Sequence, residues 1–241
     1  MQQQDTTALS LTEKDSLLYQ LGWLFYNQKQ LDASAAYLLR VLPQSSYYLK
    51  ARSFAAYNLT YLKKTDSAKE VIKDISASDT VIHELKSFQL AGIALLEKDY
   101  PLFKQLKDSF TYSSYALTMQ EKNLAQYYTD LSIHKKKSPV LAGLYSAAIP
   151  GLGKIYAGKK KQGIGAFLPV ASLGVLTYEA YRKGGIKSAR FIIFGSLFSI
   201  FYAGNIWGSV VSVNIIENEF YHDYENKVLL DLHIPLRSIF N

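Results

Sequence analysis

Cysteine is missing altogether from the 241 residues. Disulfide frameworks, thiolate metal sites and cysteine nucleophiles are excluded together. Histidine is scarce. His83, His134, His222 and His233 are the four, and none pairs with another at a metal-ligand spacing such as H-E-x-x-H. His222 lies near Glu217, Glu219, Asp223 and Glu225, a stretch that reads as a solvated helix end. No serine stands in a nucleophile-elbow setting, and no isolated carboxylate pair sits in an apolar background. The expectation is a protein with no catalytic centre, no cofactor and no metal.

Charge is also missing from long stretches. Charged residues are dense up to Lys137, after which 138–153, 162–178 and 191–216 carry none. About 20 apolar residues are needed to cross a bilayer's hydrocarbon core. The third stretch qualifies outright, and the second does if it runs on to Tyr181 before Arg182 and Lys183. Tyr178 and Tyr181 would then stand at headgroup level beside those cations. The first is shorter and ends in Pro150-Gly151-Leu152-Gly153, which breaks a helix, so it reads as half-inserted or re-entrant.

The formal charge of +7 raises the question of nucleic acid. The cations, however, flank the apolar stretches at 135–137, 159–161 and 182–190. Anionic lipid headgroups select that placement, and nucleic acid is not the expected partner. Only polar, uncharged groups (Ser172, Asn205, Ser209) interrupt the apolar runs, whereas an ion pathway calls for an ionisable residue there.

Small residues recur four apart in these runs: Gly143, Ala147 and Gly151; Gly195, Ser199 and Ala203; Gly204, Gly208 and Ser212. Such rows let helices approach closely in lipid, where close packing has to drive association. Homo- or hetero-oligomerisation through them is one expectation.

The first half repeats. Leu21-Gly22-Trp23-Leu24-Phe25-Tyr26 precedes Leu31-Asp32-Ala33-Ser34; Ala55-Ala56-Tyr57 with Ala68 follows about 34 residues later, and Gly92 with Tyr100 after a similar interval. Each unit reads as two amphipathic helices around a short polar turn, at 27–30, 63–65 and 97–99. Gly22, Ala56 and Gly92 mark places of close helix approach. A further helix at 115–133 would cover the open end of the stack. With Gly22, Tyr26, Leu31 and Ala35 in the first unit, and weaker echoes at Ala56, Ala68, Gly92 and Tyr100, residues 12–110 resemble the tetratricopeptide repeat family. That resemblance implies a curved inner surface that holds a peptide or partner helix. Tyr47, Tyr48, Phe54, Tyr57 and Tyr61 either line such a groove or fill the core at helical spacing.

Pro150, Gly151, Gly153, Tyr156, Gly158 and Gly163 spell Pro-Gly-x-Gly-x-x-Tyr-x-Gly leading into Lys159, Lys160 and Lys161. Over 138–215 the chain is similar to bacterial membrane domains of the two-transmembrane-helix type, where a glycine-rich turn and a tyrosine precede a spanning helix. On chemistry alone, Pro150 ends a helix, the glycines permit otherwise closed backbone angles, Tyr156 anchors the turn, and the three lysines meet lipid phosphates or an acidic partner. The same segment approximates the phosphate-binding G-x-x-x-x-G-K pattern from Gly153 to Lys159. Lys160 stands where a metal-binding hydroxyl is required, and a helix precedes the loop where a strand should.

The expected chain is therefore all-α: a flexible terminus at 1–11, a stack of helical hairpins at 12–134, a membrane hairpin with a short re-entrant helix at 138–216 and a polar tail at 217–241. Its expected role is a membrane-anchored scaffold or adaptor for a protein partner in bacterial envelope or membrane-protein assembly. The alternatives are a structural subunit joined through its transmembrane helices, and a lipid-binding protein. Counting lysines and arginines favours a cytoplasmic repeat domain. The polar start and the resemblance to envelope proteins of the inner membrane favour the periplasm, which is the side preferred.

Overall fold

The computed structural model describes residues 11–76 and 79–240. Apart from Leu11, the flexible terminus expected at 1–11 lies outside them. Among the described residues there are eleven helices and no strand, and the chain divides into two compact units. Residues up to 134 together with those from 224 onward form the first; residues 135–223 form the second.

Three helix pairs build the first unit: α1 (Leu11–Asn27) with α2 (Leu31–Leu38), α3 (Tyr48–Tyr61) with α4 (Thr65–Lys73), and α5 (Thr80–Leu96) with α6 (Tyr100–Lys107). The turns inside the pairs share one geometry. Lys29, Lys63 and Lys98 each take a left-handed conformation, at φ of 59°, 61° and 62°. The next residue's N–H then reaches back five positions, from Gln30 to Phe25, from Lys64 to Leu59 and from Asp99 to Ala94, at 2.8–2.9 Å. This is the Schellman closure, which satisfies carbonyls that the helix end would otherwise leave bare. Asp79 and Asp99 cap α5 and α6, accepting from the backbone N–H of Val81 and Leu102.

The pairs stack through small residues. Ala35, Ala56, Ala68, Ile72 and Ile93 share one buried cluster. A Cβ on Gly22 would stand 2.6 Å from Leu38, so α1 and α2 can close only over glycine. Buried polar groups tie neighbouring pairs: Asn58 donates to Ser34 Oγ, which donates to the Gly22 carbonyl, and Gln89 donates to the Ser53 carbonyl. The covering helix is α7, which begins slightly later than the sequence suggests, at Thr118–Ile133.

In place of a polar tail at 217–241, α11 runs from Ala189 to Phe240, and its residues from 224 onward belong to the first unit. Val228, Leu229, Leu232 and Leu236 are buried there. They fall at positions i, i+1, i+4 and i+8, one helical face, so this segment supplies core. Gly92 is correspondingly reassigned: a Cβ on it would meet Leu232 at 2.4 Å, and the close approach belongs to α11, not to its pair partner α6.

The second unit comprises α8 (Pro139–Ala148), α9 (Leu152–Ala157), α10 (Lys160–Gly184) and α11 up to residue 223. Ser138 caps α8 with Pro139 in its first turn. The segments α8 and α9 fold back on each other: Gly153 lies beside Ala142, and the Ser138 N–H donates to Tyr156 Oη at 3.1 Å. The two ends of this short hairpin therefore lie side by side. The helices α10 and α11 run antiparallel, with Tyr181 against Phe191, Gly195 opposite Thr177 and Gly174 opposite Phe198.

Candidate functional site

The first helices of the three pairs and α7 together hold residues 224–240 of α11. The His233 ring lies against Tyr26, Phe54 and Tyr57, at 5.1 Å and nearly stacked on the last, and Nε2 is hydrogen-bonded to Tyr26 Oη. Asp231 accepts from Tyr127 Oη at 2.8 Å and from Asn123 Nδ2 at 3.2 Å. Tyr224 donates to Asp130, Glu225 pairs with Lys63, and the Arg237 guanidinium lies over Trp23. An amphipathic helix bedded along helix faces is a recurrent peptide-recognition geometry. Here the chain itself supplies the bound helix.

Burial sets the electrostatics of this contact, which begins well beyond the charge-free run ending at Ile216. Burial lifts the Asp231 carboxyl above its ordinary range, against the opposing hydrogen bonds from Tyr127 and Asn123. The same cause, helped by the Arg237 charge, depresses His233 below its ordinary value. Tyr57 and Tyr26 are raised by burial.

The five aromatic residues singled out in the sequence separate. Phe54 and Tyr57 are buried and meet His233. Tyr47 stacks on Tyr19 at a centroid distance of 4.6 Å, and Tyr48 carries the Arg52 guanidinium on its ring. Tyr61 is 51% exposed and, with Tyr26, Asn27, Lys29, Leu31 and Tyr57, lines an open cavity of about 460 Å³. Sequence reasoning missed Asp231 and His233, although the apolar spacing around them was a usable signal.

Composition is inverted in the second unit. Its buried centre is small and partly polar: beside Ala142, Ala157 and Val213, the Ser146 and Ser209 hydroxyls stand 2.7 Å apart, Gly153 N–H donates to Ser146, and Gly151 N–H donates to Asn205 Oδ1 at 3.1 Å. Glu217 accepts the Lys137 N–H at one end. Outside stand large apolar side chains, among them Leu144, Ile164, Leu168, Val175, Ile193, Ile200 and Trp207. The helices α10 and α11 are long and apolar enough to cross a membrane, and only 17% and 6% of their most apolar windows are buried. A soluble protein's core helix has the opposite burial.

The motif glycines interlock. Gly151 and Gly158 have φ of 84° and 103°. A Cβ on Gly151 would stand 2.0 Å from the Gly163 carbonyl oxygen, one on Gly153 1.9 Å from that of Ala142, and one on Gly163 2.5 Å from Ile155. Pro150 follows the end of α8, and Tyr156 packs edge-on to Tyr145 with the Lys137 ammonium over its ring. With Gly153 inside α9 and its N–H committed to Ser146, the segment offers no open nest of N–H groups for a phosphate. Lys159 precedes the first turn of α10, where Lys160 and Lys161 are exposed.

The small-residue rows serve different neighbours. Gly143 is buried with Val210 3.1 Å from its Cβ position, and Gly195 has Thr177 at 3.7 Å. Ser199 and Ala203 are exposed, Gly204 has open space, Gly208 is covered only by Lys154, and Ser212 is buried and donates to the Gly208 carbonyl.

No family model, no curated protein and no solved structure matches the chain. The comparisons lend no support to the likeness to tetratricopeptide repeats or to two-transmembrane-helix domains; the structure shows consecutive helix pairs and two helices long and apolar enough to span a membrane.

Proposed function

We propose that this chain is a membrane-anchored helical-repeat scaffold or adaptor, without catalytic activity, that presents a tetratricopeptide-like stack to a protein partner in bacterial envelope or membrane-protein assembly. The observation that carries it is the inverted second unit: small and hydrogen-bonded polar groups inside, and large outward-facing apolar side chains on α10 and α11. Lipid is the solvent that matches such a surface. We assign the unit to the inner membrane and the repeat stack to its periplasmic side, on the envelope-type motif.

With residues 224–240 along the stack, the surface left for a partner is the cavity at Lys29, Leu31 and Tyr61. An aromatic rim beside a lysine suits a segment with apolar and acidic side chains. The test is site-specific photocrosslinking at position 61 of the full-length chain in native membranes. One dominant adduct, lost on Leu31→Asp while membrane fractionation is unchanged, is expected; no adduct dependent on this surface would sink the scaffold reading.

One observation favours a second reading, a structural subunit assembled through its transmembrane helices. Gly204 has nothing within 4 Å of its Cβ position, leaving a small-residue face of α11 uncovered. In that case Gly204→Leu reduces the size of the complex extracted in mild detergent.

A further inference from the structure

The Lys154 side chain runs across Gly208, with Cε and Nζ 3.6 and 3.7 Å from where a Cβ on that glycine would stand. It enters a cleft of about 390 Å³ between α10 and α11, walled by Pro169, Val170, Phe201, Gly204 and Asn205. Asn205 is engaged with Gly151 and Ser146, so the rest of the wall is apolar or glycine. Among the described residues no hydrogen bond or ion pair reaches Lys154 Nζ.

Ala166 also lines the cleft, one helical turn beyond Gln162, where the charge-free run of α10 starts. That places Lys154 about 6 Å inside the apolar layer. A lysine stem spans such a depth, and an ammonium there requires a counter-charge. The cleft thus offers one cation near the layer's edge and an apolar trough leading inward. An amphiphile with an anionic head has the complementary distribution. A carboxylate on another protein's transmembrane helix would supply the charge alone, and the shallow position of Lys154 favours a headgroup.

We propose that this cleft binds an anionic phospholipid, with Lys154 holding the phosphate and Pro169, Val170 and Phe201 holding an acyl chain. The proposal rests on the membrane reading above and names a ligand for the inverted unit.

The test is native mass spectrometry of the full-length protein in a neutral detergent, titrated with dioleoyl phosphatidylglycerol or dioleoyl phosphatidylcholine. At least one phosphatidylglycerol is expected to be retained in preference to phosphatidylcholine. Lys154→Gln should weaken that retention about tenfold, Lys154→Arg should preserve it, and a Lys160→Gln/Lys161→Gln double variant should leave it unchanged. Millimolar inorganic phosphate should not displace the lipid; displacement would reduce the site to a phosphate site and overturn the proposal. Equal retention of both lipids, indifference to Lys154→Gln, or loss that follows Lys160 and Lys161 would overturn it as well. So would a co-purifying protein held through Lys154 without lipid preference. Flotation with phosphatidylcholine vesicles separates the two levels: wild type that floats but retains both lipids equally defeats the lipid site alone, whereas wild type that does not float defeats the membrane reading.

Discussion

Glu121 is fully buried on α7 and faces Glu84, itself buried on α5. One Glu121 oxygen accepts the Tyr112 N–H at 3.0 Å, while the other has no donor. Burial first, then the Glu84 charge, pushes the Glu121 carboxyl up to about 7. A carboxyl that holds its proton more tightly when folded makes folding less favourable as the proton is lost. Stability should accordingly fall as pH rises from the carboxyl's ordinary 4.5 to about 7, and level off above that. Glu121→Gln keeps an acceptor for Tyr112 and presents a donor to Glu84. It is expected to flatten this slope and to raise the thermal midpoint at pH 8, measured by circular dichroism in detergent; a steeper slope or a lower midpoint contradicts the account. Nothing in the sequence announces this pair, because positions 84 and 121 meet only through tertiary packing. The motif glycines were legible for the opposite reason: two stand at positive φ, and Gly153 and Gly163 lie where a Cβ would collide with backbone or a neighbouring side chain.

Helix pairing was readable because apolar spacing, small residues and polar turns recur together, and α1 to α6 follow that pattern. The left-handed lysines at 29, 63 and 98 were not readable, since lysine carries no preference for that conformation and only the turn's hydrogen bonds impose it. The least legible element was the end of α11. Its acidic and basic residues suggested a solvated tail and masked the stripe of Val228, Leu229, Leu232 and Leu236. The contact of Gly92 with Leu232 tests this placement directly. Gly92→Ala puts a methyl 2.4 Å from Leu232 Cδ2 and is expected to cost about 1–3 kcal/mol by overpacking. Leu232→Ala opens a cavity and costs about 2–5 kcal/mol alone. In the double variant the added methyl occupies vacated space, so its loss should be clearly smaller than the sum of the two. Strict additivity in denaturant melts would mean that residues 224–240 do not lie along α5.

At the scale of the molecule, the two units present opposite surfaces. The first hides alanine, leucine and phenylalanine and exposes lysine and glutamate, while the second hides serine and asparagine among alanine, valine and glycine and exposes isoleucine, leucine and phenylalanine. A single near-neutral mean hydropathy conceals that contrast, which is why charge distribution along the chain was the more informative quantity. The two tryptophans fall one in each unit and make the contrast measurable. Trp207 is 72% exposed on α11, inside the charge-free run 191–216. It neighbours Gly208, over which Lys154 lies in the cleft that Ala166 lines, so it too stands about 6 Å inside the apolar layer. Trp23 packs edge-on to Phe54 and stacks with Tyr26, so Trp23→Phe leaves Trp207 as the lone indole with the aromatic packing largely retained. In vesicles this variant should emit at short wavelength, and lipids brominated in the upper half of the acyl chain should quench it more strongly than lipids brominated at the chain ends. Stronger quenching at the chain ends would contradict the depth that Trp207 shares with Lys154. Emission typical of water, with no quenching by either lipid, would require the apolar faces of α10 and α11 to be covered by protein, and the membrane reading would fall.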